Sequence, residues 1–189
     1  MLNRKLVIRA ALAMVAGLGI ASSSWAGSAT ANLSVSATVV QKCTIATSPV
    51  AFGNYDPLGL QATNDLPAQG AVSLTCTKGS GSPTAVTIGL GLGSNVSGAI
   101  RRMTDGASDF LAYELYQPGG TTPAATCAAA PGPYGTVWGT SGGGLLGTSG
   151  TTWGVVAGAQ AFKVCGVVAK GLDPVQGSYT DTVVATVNF

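Results

Sequence analysis

Four cysteines are the residues of this chain whose type and spacing speak most directly about chemistry. No two of them form a C-x-x-C motif, the chain has no histidine, and they stand at Cys43, Cys76, Cys127 and Cys165. Zinc sites usually pair ligands a few residues apart, which makes zinc the weaker interpretation. In an oxidising compartment such cysteines favour two structural disulfides, with the pairing left open.

A serine-hydrolase pattern, Gly-x-Ser-x-Gly, occurs at residues 139–143. The motif needs a strand-to-helix turn and a histidine base to activate the serine. Here it lies in a glycine-rich repeat, because Gly-Thr-Ser-Gly at residues 139–142 recurs at residues 147–150, and no histidine is present. We therefore interpret the pattern as linker chemistry.

Other catalytic or ligand-binding patterns are equally weak. A glycosidase needs a pair of carboxylates, but no spacing selects a pair among Asp56, Asp105, Asp109, Glu114 and Asp173. The alternating glycines of residues 89–93 are followed by neither a helix start nor a lysine, so they do not indicate a phosphate loop. We predict a protein that is not an enzyme and has no metal or cofactor.

The N-terminus predicts export. Residues 1–26 combine a positive start, an apolar run at residues 10–20 and the small-x-small site Ser24-Trp25-Ala26, which together are typical of a cleaved signal peptide. The apolar run is too short for a permanent membrane helix. Cleavage after Ala26 leaves 163 residues, enough for one domain with a core.

Charge and composition exclude further partners. The chain has nine Lys and Arg against seven Asp and Glu, but Arg4, Lys5 and Arg9 belong to the signal peptide, so the exported part carries a net charge of −1. No basic patch remains for nucleic acid or anionic lipid. Charged residues make up only 8% of the chain while apolar content is high, which indicates a β protein with little protection against self-association.

The exported part begins and ends with a strand pattern. At residues 29–39 apolar side chains alternate with polar ones without interruption, which predicts a long strand with one dry face. Residues 179–189 alternate in the same way and run to the last residue. A strand at either end of a chain is an ordinary edge strand or one that pairs with another molecule.

Short strands and turns are predicted between these ends, at the segment before the turn of residues 52–57 and at residues 71–77, 84–92, 110–117 and 159–168. We expect Arg101 and Arg102 to lie at a solvated tip. A short hairpin is predicted between Trp138 and Trp153, with the two rings packing across its strands. With no amphipathic helix, the pattern indicates an antiparallel β-sandwich.

Several groups of residues spread over the exported part form one recognisable pattern: Cys43-Thr44-Ile45; Phe52-Gly53-Asn54-Tyr55-Asp56-Pro57; Gly70, Val72, Leu74 and Cys76; Leu111-Ala112-Tyr113-Glu114-Leu115-Tyr116; and Pro174, Gly177, Tyr179, Asp181, Thr182, Val187 and Phe189. This pattern resembles the spore coat protein U-like domain, which is found in subunits of archaic chaperone–usher pili. The glycine-rich residues 118–158 and the pair Cys127 and Cys165 depart from it.

The resemblance implies an all-β, antiparallel, immunoglobulin-like sandwich of the pilin type that lacks its final strand and is completed by donor-strand complementation. A periplasmic chaperone supplies the strand first, and the N-terminal extension of another copy or a related subunit replaces it at an outer-membrane usher. Residues 27–40 would be the donor extension and residues 41–189 the pilin domain. The resemblance also implies the disulfide Cys43–Cys76, which leaves Cys127 to pair with Cys165.

The implied site residues fall into two sets. The donor face is Ala29, Ala31, Leu33, Val35, Ala37 and Val39. The C-terminal strand that faces an acceptor groove and the chaperone is Tyr179, Asp181, Val183, Ala185, Val187 and Phe189.

Two function classes follow, and a secreted hydrolase is set aside for want of a histidine. The first is a structural subunit of a surface pilus, fimbria or coat that serves adhesion or biofilm formation, passing through the periplasm to the cell surface. The alternative is a self-contained secreted carbohydrate-binding module, with Trp138, Trp153 and Tyr134 as stacking platforms. The alternative requires residues 29–39 to be a strand of the chain's own sandwich.

Overall fold

The computed structural model describes residues 27–81, 85–130 and 132–189, so the predicted signal peptide lies outside the described residues. The chain divides into two units, Met1–Ala37 and Thr38–Phe189. In the first unit, the described residues 27–37 form no secondary structure and are exposed. Within the described part of the chain, no helix has the length and apolar character needed to cross a membrane.

The described residues of the second unit form eight strands. They are β1 (Cys43–Ser48), β2 (Leu66–Cys76), β3 (Thr87–Leu90), β4 (Arg101–Thr104), β5 (Phe110–Tyr116), β6 (Leu146–Gly147), β7 (Gln160–Val168) and β8 (Ala185–Asn188). The helical turns among the described residues are three short 3-10 turns, at Leu60–Ala62, Gly142–Gly144 and Val155–Ala157. The prediction of an all-β fold is confirmed.

The strands form two sheets with antiparallel pairing throughout. The larger has the order β1-β2-β7-β5-β4 and the smaller has the order β6-β3-β8. β1 and β4 are therefore edges of the larger sheet, and β8 is an edge of the smaller one. Connections between the sheets run through long loops rather than helices.

The core lies between the two sheets because alternate residues of each strand face inward. β2, β5 and β7 contribute Val72 and Leu74, Leu111 and Leu115, and Phe162 and Val164, all buried. The smaller sheet contributes Ile88, Leu90 and Leu146. This two-layer arrangement is the predicted antiparallel sandwich.

The prediction for Arg101 is wrong. Arg101 begins β4 and is 0% exposed, because its guanidinium donates hydrogen bonds to the carbonyl oxygens of Leu90, Gly91 and Trp138 and pairs with Glu114. Its neighbour Arg102 is half-buried, and its guanidinium lies 4.0 Å from the ring centre of Phe110. Each nitrogen of the guanidinium has a hydrogen-bond partner inside the fold, which offsets the loss of water around the buried cation.

The predicted hairpin between Trp138 and Trp153 is also wrong. The segment between them contains a 3-10 turn and the short β6, which pairs with β3 instead. Trp138 is 0% exposed and its indole N–H donates to the carbonyl oxygen of Ile88 at 2.9 Å, while Trp153 packs near Phe162. Both rings therefore lie in the core and not on the surface of a hairpin.

The strand predicted at residues 29–39 is absent from the single chain, since the first strand begins at Cys43. A strand requires a partner for its backbone groups, and the sequence pattern does not supply one. The predicted terminal strand is shorter than expected, with β8 covering only Ala185–Asn188. The strand predicted before the turn of residues 52–57 is β1, which ends at Ser48, and β3 covers only Thr87–Leu90 within residues 84–92.

Candidate functional site

The side of the sandwich between β1 and the C-terminal segment is open and carries two adjoining cavities, of about 370 and 620 Å³. Val50, Phe52, Met103 and Tyr179 line both cavities, so they form one continuous depression, which we call the open groove. Its floor is the sandwich core, with residues from β2, β5 and β7.

One wall of the open groove is formed by residues 47–57, the end of β1 and the irregular segment after it. Two side chains of the Phe-Gly-Asn-Tyr-Asp-Pro motif, at residues 52–57, hold this wall in place through hydrogen bonds. The Tyr55 hydroxyl donates to the carbonyl oxygen of Ala169 and accepts from the N–H of Leu172, both at 2.9 Å. The Asp56 carboxylate accepts from the N–H groups of Leu58 and Gly59, which holds the turn that follows.

The other wall is the C-terminal segment of residues 174–185. Its burial alternates as the sequence pattern predicts: even-numbered residues from 180 to 188 are exposed, and Tyr179, Asp181, Val183, Ala185 and Val187 are half-buried toward the core. Phe189 departs from the pattern, since its side chain is 49% exposed.

Asp181 has a role that the alternation alone does not reveal. Its carboxylate accepts hydrogen bonds from the Ser94 N–H at 2.9 Å, the Asn95 side-chain amide at 3.0 Å and the Tyr113 hydroxyl at 2.6 Å. Burial, and then the hydrogen bond to Asp181, raise the pKa of Tyr113 above its ordinary value. Asp181 therefore ties the C-terminal wall to β5 and to the loop after β3.

A second anchor holds the other end of the same wall. The carboxylate of Asp109 accepts from the Tyr179 hydroxyl at 2.5 Å and from the Val175 N–H at 2.6 Å. These two hydrogen bonds, the hydroxyl first, keep the pKa of Asp109 below its ordinary value. Burial and the same carboxylate raise the pKa of Tyr179 to about 12.

Both strands that border the open groove have a free backbone edge. Among the strands that the structure describes, β1 pairs with β2 alone and β8 with β3 alone. The N–H of Gly91 donates to the Val184 carbonyl at 2.9 Å, so Val184 and, two residues on, Thr186 present their backbone groups to β3. The backbone groups of Val183, Ala185 and Val187 consequently face the open edge.

The described backbone of the first wall is likewise not paired with the C-terminal wall. Among the residues that the structure describes, no backbone hydrogen bond joins residues 49–55 to residues 174–184. Residues 49–55 are exposed or half-buried, so water can satisfy their backbone groups in the free chain and an incoming strand can replace that water. The arrangement can bind an extended peptide by adding a strand to a sheet edge.

The predicted donor residues form a contrasting surface. Leu33, Val35 and Val39 are 87%, 85% and 82% exposed, which is far more than apolar side chains of a finished fold usually show. The alanines of the same face, Ala29, Ala31 and Ala37, are exposed as well.

The four cysteines form the two predicted disulfides, Cys43–Cys76 and Cys127–Cys165. The first joins β1 to β2 at directly paired positions. The second disulfide joins the glycine-rich segment of residues 118–158 to β7, which is the structural role of the extra cysteine pair. With every cysteine oxidised, zinc binding by thiolates is excluded.

The residues proposed for a hydrolase site or a carbohydrate-binding site are buried or hold other parts of the fold in place. Trp138 and Trp153 are 0% and 5% exposed, so neither ring can stack on a sugar, and the Tyr134 hydroxyl donates to Asp65. Of the candidate acids, Glu114 pairs with Arg101, Asp56 holds a turn and Asp109 anchors Tyr179. Over residues 27–81, 85–130 and 132–189, no three metal-ligating side chains are placed to hold an ion.

An open β-sandwich with two disulfides and a groove between unpaired strand edges defines a class of domain, and comparison of the sequence assigns its family. The chain belongs to the Spore Coat Protein U domain family, whose model matches residues 29–186. The family is structural and non-enzymatic.

The proteins similar to the chain include the following two. "Protein U" of Myxococcus xanthus is 34% identical over 95% of this chain and 96% of its own length. The second is a chain in the crystal structure of the chaperone and tip adhesion subunit pre-assembly complex of the archaic chaperone–usher Csu pili of Acinetobacter baumannii. It has a TM-score of 0.51 and 20% identity over 80% of this chain. This chain spans 41% of that longer one, and the likeness is one of fold.

Proposed function

We propose that the chain is an exported structural subunit of a surface pilus, fimbria or coat, assembled by the chaperone–usher route through donor-strand exchange. The observation that carries the proposal is the coexistence, in one chain, of an open groove between unpaired strand edges and an exposed segment with an alternating apolar face. In the proposal, residues 27–40 of one copy occupy the open groove of another.

The energy of such an exchange comes from apolar burial and backbone pairing. Burying Leu33, Val35 and Val39, each more than four-fifths exposed in the free chain, would contribute roughly 5–9 kcal/mol before the cost of ordering the segment. Each ladder hydrogen bond adds about 1 kcal/mol. The small side chains of Ala29, Ala31 and Ala37 suit a groove whose floor already belongs to a packed core.

The free edge of the C-terminal wall defines how the donor would bind. The backbone groups of Val183, Ala185 and Val187 face the open edge, so an incoming strand would pair with these residues and extend the sheet that contains β8. Its apolar face would then lie on the floor formed by Val72, Leu115 and Val164. The missing strand of the sandwich is replaced in this way.

The comparisons support the partners we assign. Family membership covers residues 29–186, so the match includes the proposed donor. The similar fold comes from a complex between a pilus subunit and its chaperone. We propose a periplasmic chaperone, an outer-membrane usher and other copies of the chain or related subunits as partners, and adhesion or biofilm formation at the cell surface as the outcome.

The test uses one substitution on each face of the proposed donor. Leu33→Asp places an unpaired carboxylate in an apolar groove, at a cost of several kcal/mol, and should abolish surface polymers. Ser34→Asp adds the same charge on the opposite face and is the matched control, which should leave polymers intact. Both chains retain an unchanged groove, so both should be recovered as soluble complexes with a co-expressed chaperone.

The two measurements are the yield of soluble complex and the amount of surface polymer. Loss of the complex with Leu33→Asp would mean that residues 29–39 belong to the chain's own core. Equal polymer from both variants would show that the alternating face does not enter a neighbouring copy.

A further inference from the structure

Two glycines beneath the open groove have no room for a side chain. Gly70 in β2 and Gly166 in β7 lie on the inward face of their strands, Gly70 two residues before the buried Val72 and Gly166 between the buried Val164 and Val168. A Cβ atom at Gly166 would lie 2.5 Å from Cγ1 of Val50 and 2.8 Å from Cζ of Phe52. A Cβ atom at Gly70 would lie 2.7 Å from Cγ2 of Val50 and 2.7 Å from the Ser48 carbonyl oxygen. Both glycines lie within strands, so space rather than backbone conformation requires them.

The atoms that occupy this space belong to the first wall of the groove. Val50 and Phe52 line both cavities, and the edge of the Phe52 ring meets Tyr113, with 6.0 Å between ring centres. Within the described part of the chain, no backbone hydrogen bond joins residues 49–55 to the C-terminal wall, so side-chain contacts, together with the hydrogen bonds of the Tyr55 hydroxyl, set the position of the first wall. Because Gly70 and Gly166 leave space for Val50 and Phe52, they determine how close the first wall lies to β2 and β7.

The contact between Phe52 and Tyr113 also connects the first wall to the C-terminal wall. Tyr113, which Phe52 contacts, donates its hydroxyl to Asp181 on the C-terminal wall at 2.6 Å. A methyl group at position 166 would push Val50 and Phe52 away from β7 and into the space of the groove. The width available to a bound strand would decrease, while the sheets below would keep their hydrogen bonds.

We propose that Gly70 and Gly166 are the residues that set the width of the open groove and thereby select a strand with small apolar side chains, the segment of residues 29–39 of a second copy. This inference rests on the proposed function. It assigns a binding role to two residues that touch the first wall and not the C-terminal one.

The experiment measures binding of a fluorescent synthetic peptide of residues 29–39 to the full chain carrying Leu33→Asp, which leaves the groove free of neighbouring copies. Gly166→Ala and Gly70→Ala are each added to this parent. Gly147→Ala in β6 is the matched control, because a Cβ atom there meets nothing within 4 Å. Fluorescence anisotropy gives Kd, and circular dichroism with disulfide mapping gives the folded state.

We expect both test variants to weaken peptide binding by at least about tenfold, the effect of overfilling a packed site, and Gly147→Ala to leave Kd unchanged. A rescue variant supplies a readout that a loss of stability would not give. Val50→Ala removes the atom nearest to the new methyl group and leaves only the tip of the Phe52 ring to adjust, so adding Val50→Ala to Gly166→Ala should recover much of the lost binding, measured against Val50→Ala alone. The same change should rescue Gly70→Ala less, because the Ser48 backbone remains.

The outcomes separate this inference from the function on which it rests. A parent chain that does not bind the peptide refutes donor-strand exchange and this inference with it. A parent that binds, with Gly166→Ala and Gly70→Ala binding equally well, refutes only the role of the glycines. Failure of both glycine variants and of the rescue variant to fold would also overturn the role, because the glycines would then serve the core alone.

Discussion

Replacing Arg101 by Met should destabilise the chain far more than the same change at the adjacent Arg102. Arg101 is a strut between the two sheets, since it lies on β4 and donates to backbone carbonyls at the end of β3 and at Trp138. Methionine keeps much of the length of the arginine stem but removes every donor.

The magnitude follows from what the guanidinium satisfies. Arg101 is 0% exposed, and its loss leaves three carbonyl oxygens and the Glu114 carboxylate, itself only 25% exposed, without their cation. Breaking a buried pair in this way costs about 3–5 kcal/mol. That is a large part of the roughly 5–15 kcal/mol that stabilises an ordinary domain. Arg102 loses one hydrogen bond, to Asn95, and one ring contact, which amounts to about 1–2 kcal/mol.

Urea denaturation followed by the fluorescence of the buried Trp138 and Trp153 measures these free energies of unfolding. Adding Glu114→Leu to Arg101→Met removes the orphaned carboxylate and should recover part of the loss, which gives a double-mutant cycle with a clear interaction energy. A loss for Arg101→Met no larger than that for Arg102→Met would refute the strut. Strict additivity of the two changes in the cycle would refute the pairing.

Three further predictions concern the groove and its supports. Deleting residues 187–189 should abolish the recoverable chaperone complex, because the free edge of β8 is shortened, and normal accumulation as a soluble monomer would count against an incomplete fold. Replacing both Cys127 and Cys165 by Ser should lower the free energy of unfolding by about 3–4 kcal/mol, measured by urea denaturation, while peptide binding to the groove persists. The hydroxyl of Tyr179 lowers the pKa of Asp109, so this contribution to stability is fully present above the ordinary carboxyl pKa of 3.8 and is lost as the pH falls through the lower folded value. Tyr179→Phe should bring the pKa of Asp109 back toward 3.8 in an NMR titration, and an unchanged pKa would show that the hydrogen bond has no such effect.

The strands of the core were predictable because their side chains alternate between the two faces. β2, β5 and β7 carry inward-facing apolar residues, and the sequence predicted β5 and β7 to within one residue at each end, whereas the strand predicted at residues 71–77 missed the first five residues of β2. β4 was not predicted, because a pair of arginines normally indicates solvent. The acceptors that allow Arg101 to be buried come from Leu90, Gly91 and Trp138, and their approach depends on the tertiary fold.

The groove could be predicted only in part for the same reason. Alternation identified which residues of the C-terminal segment face inward, but not that Asp181 would be held by Tyr113 and the loop after β3. The strand at residues 29–39 illustrates the opposite limit. Its alternation is complete, yet these residues form no strand in a single chain. The alternation shows which side chains share an apolar face, but it does not supply a strand with which the backbone could form hydrogen bonds.

Hydrogen exchange at single residues of β8 tests donor-strand exchange most directly. The amides of Val183, Ala185 and Val187 face the open edge, whereas the amide of Thr186 faces β3 and serves as an internal control. In assembled polymer we predict strong protection of all four amides, and in the unassembled Leu33→Asp chain protection of Thr186 alone. If the amides of Val183, Ala185 and Val187 exchange as fast in the polymer as in the unassembled chain, no strand is donated to this edge and the account is wrong.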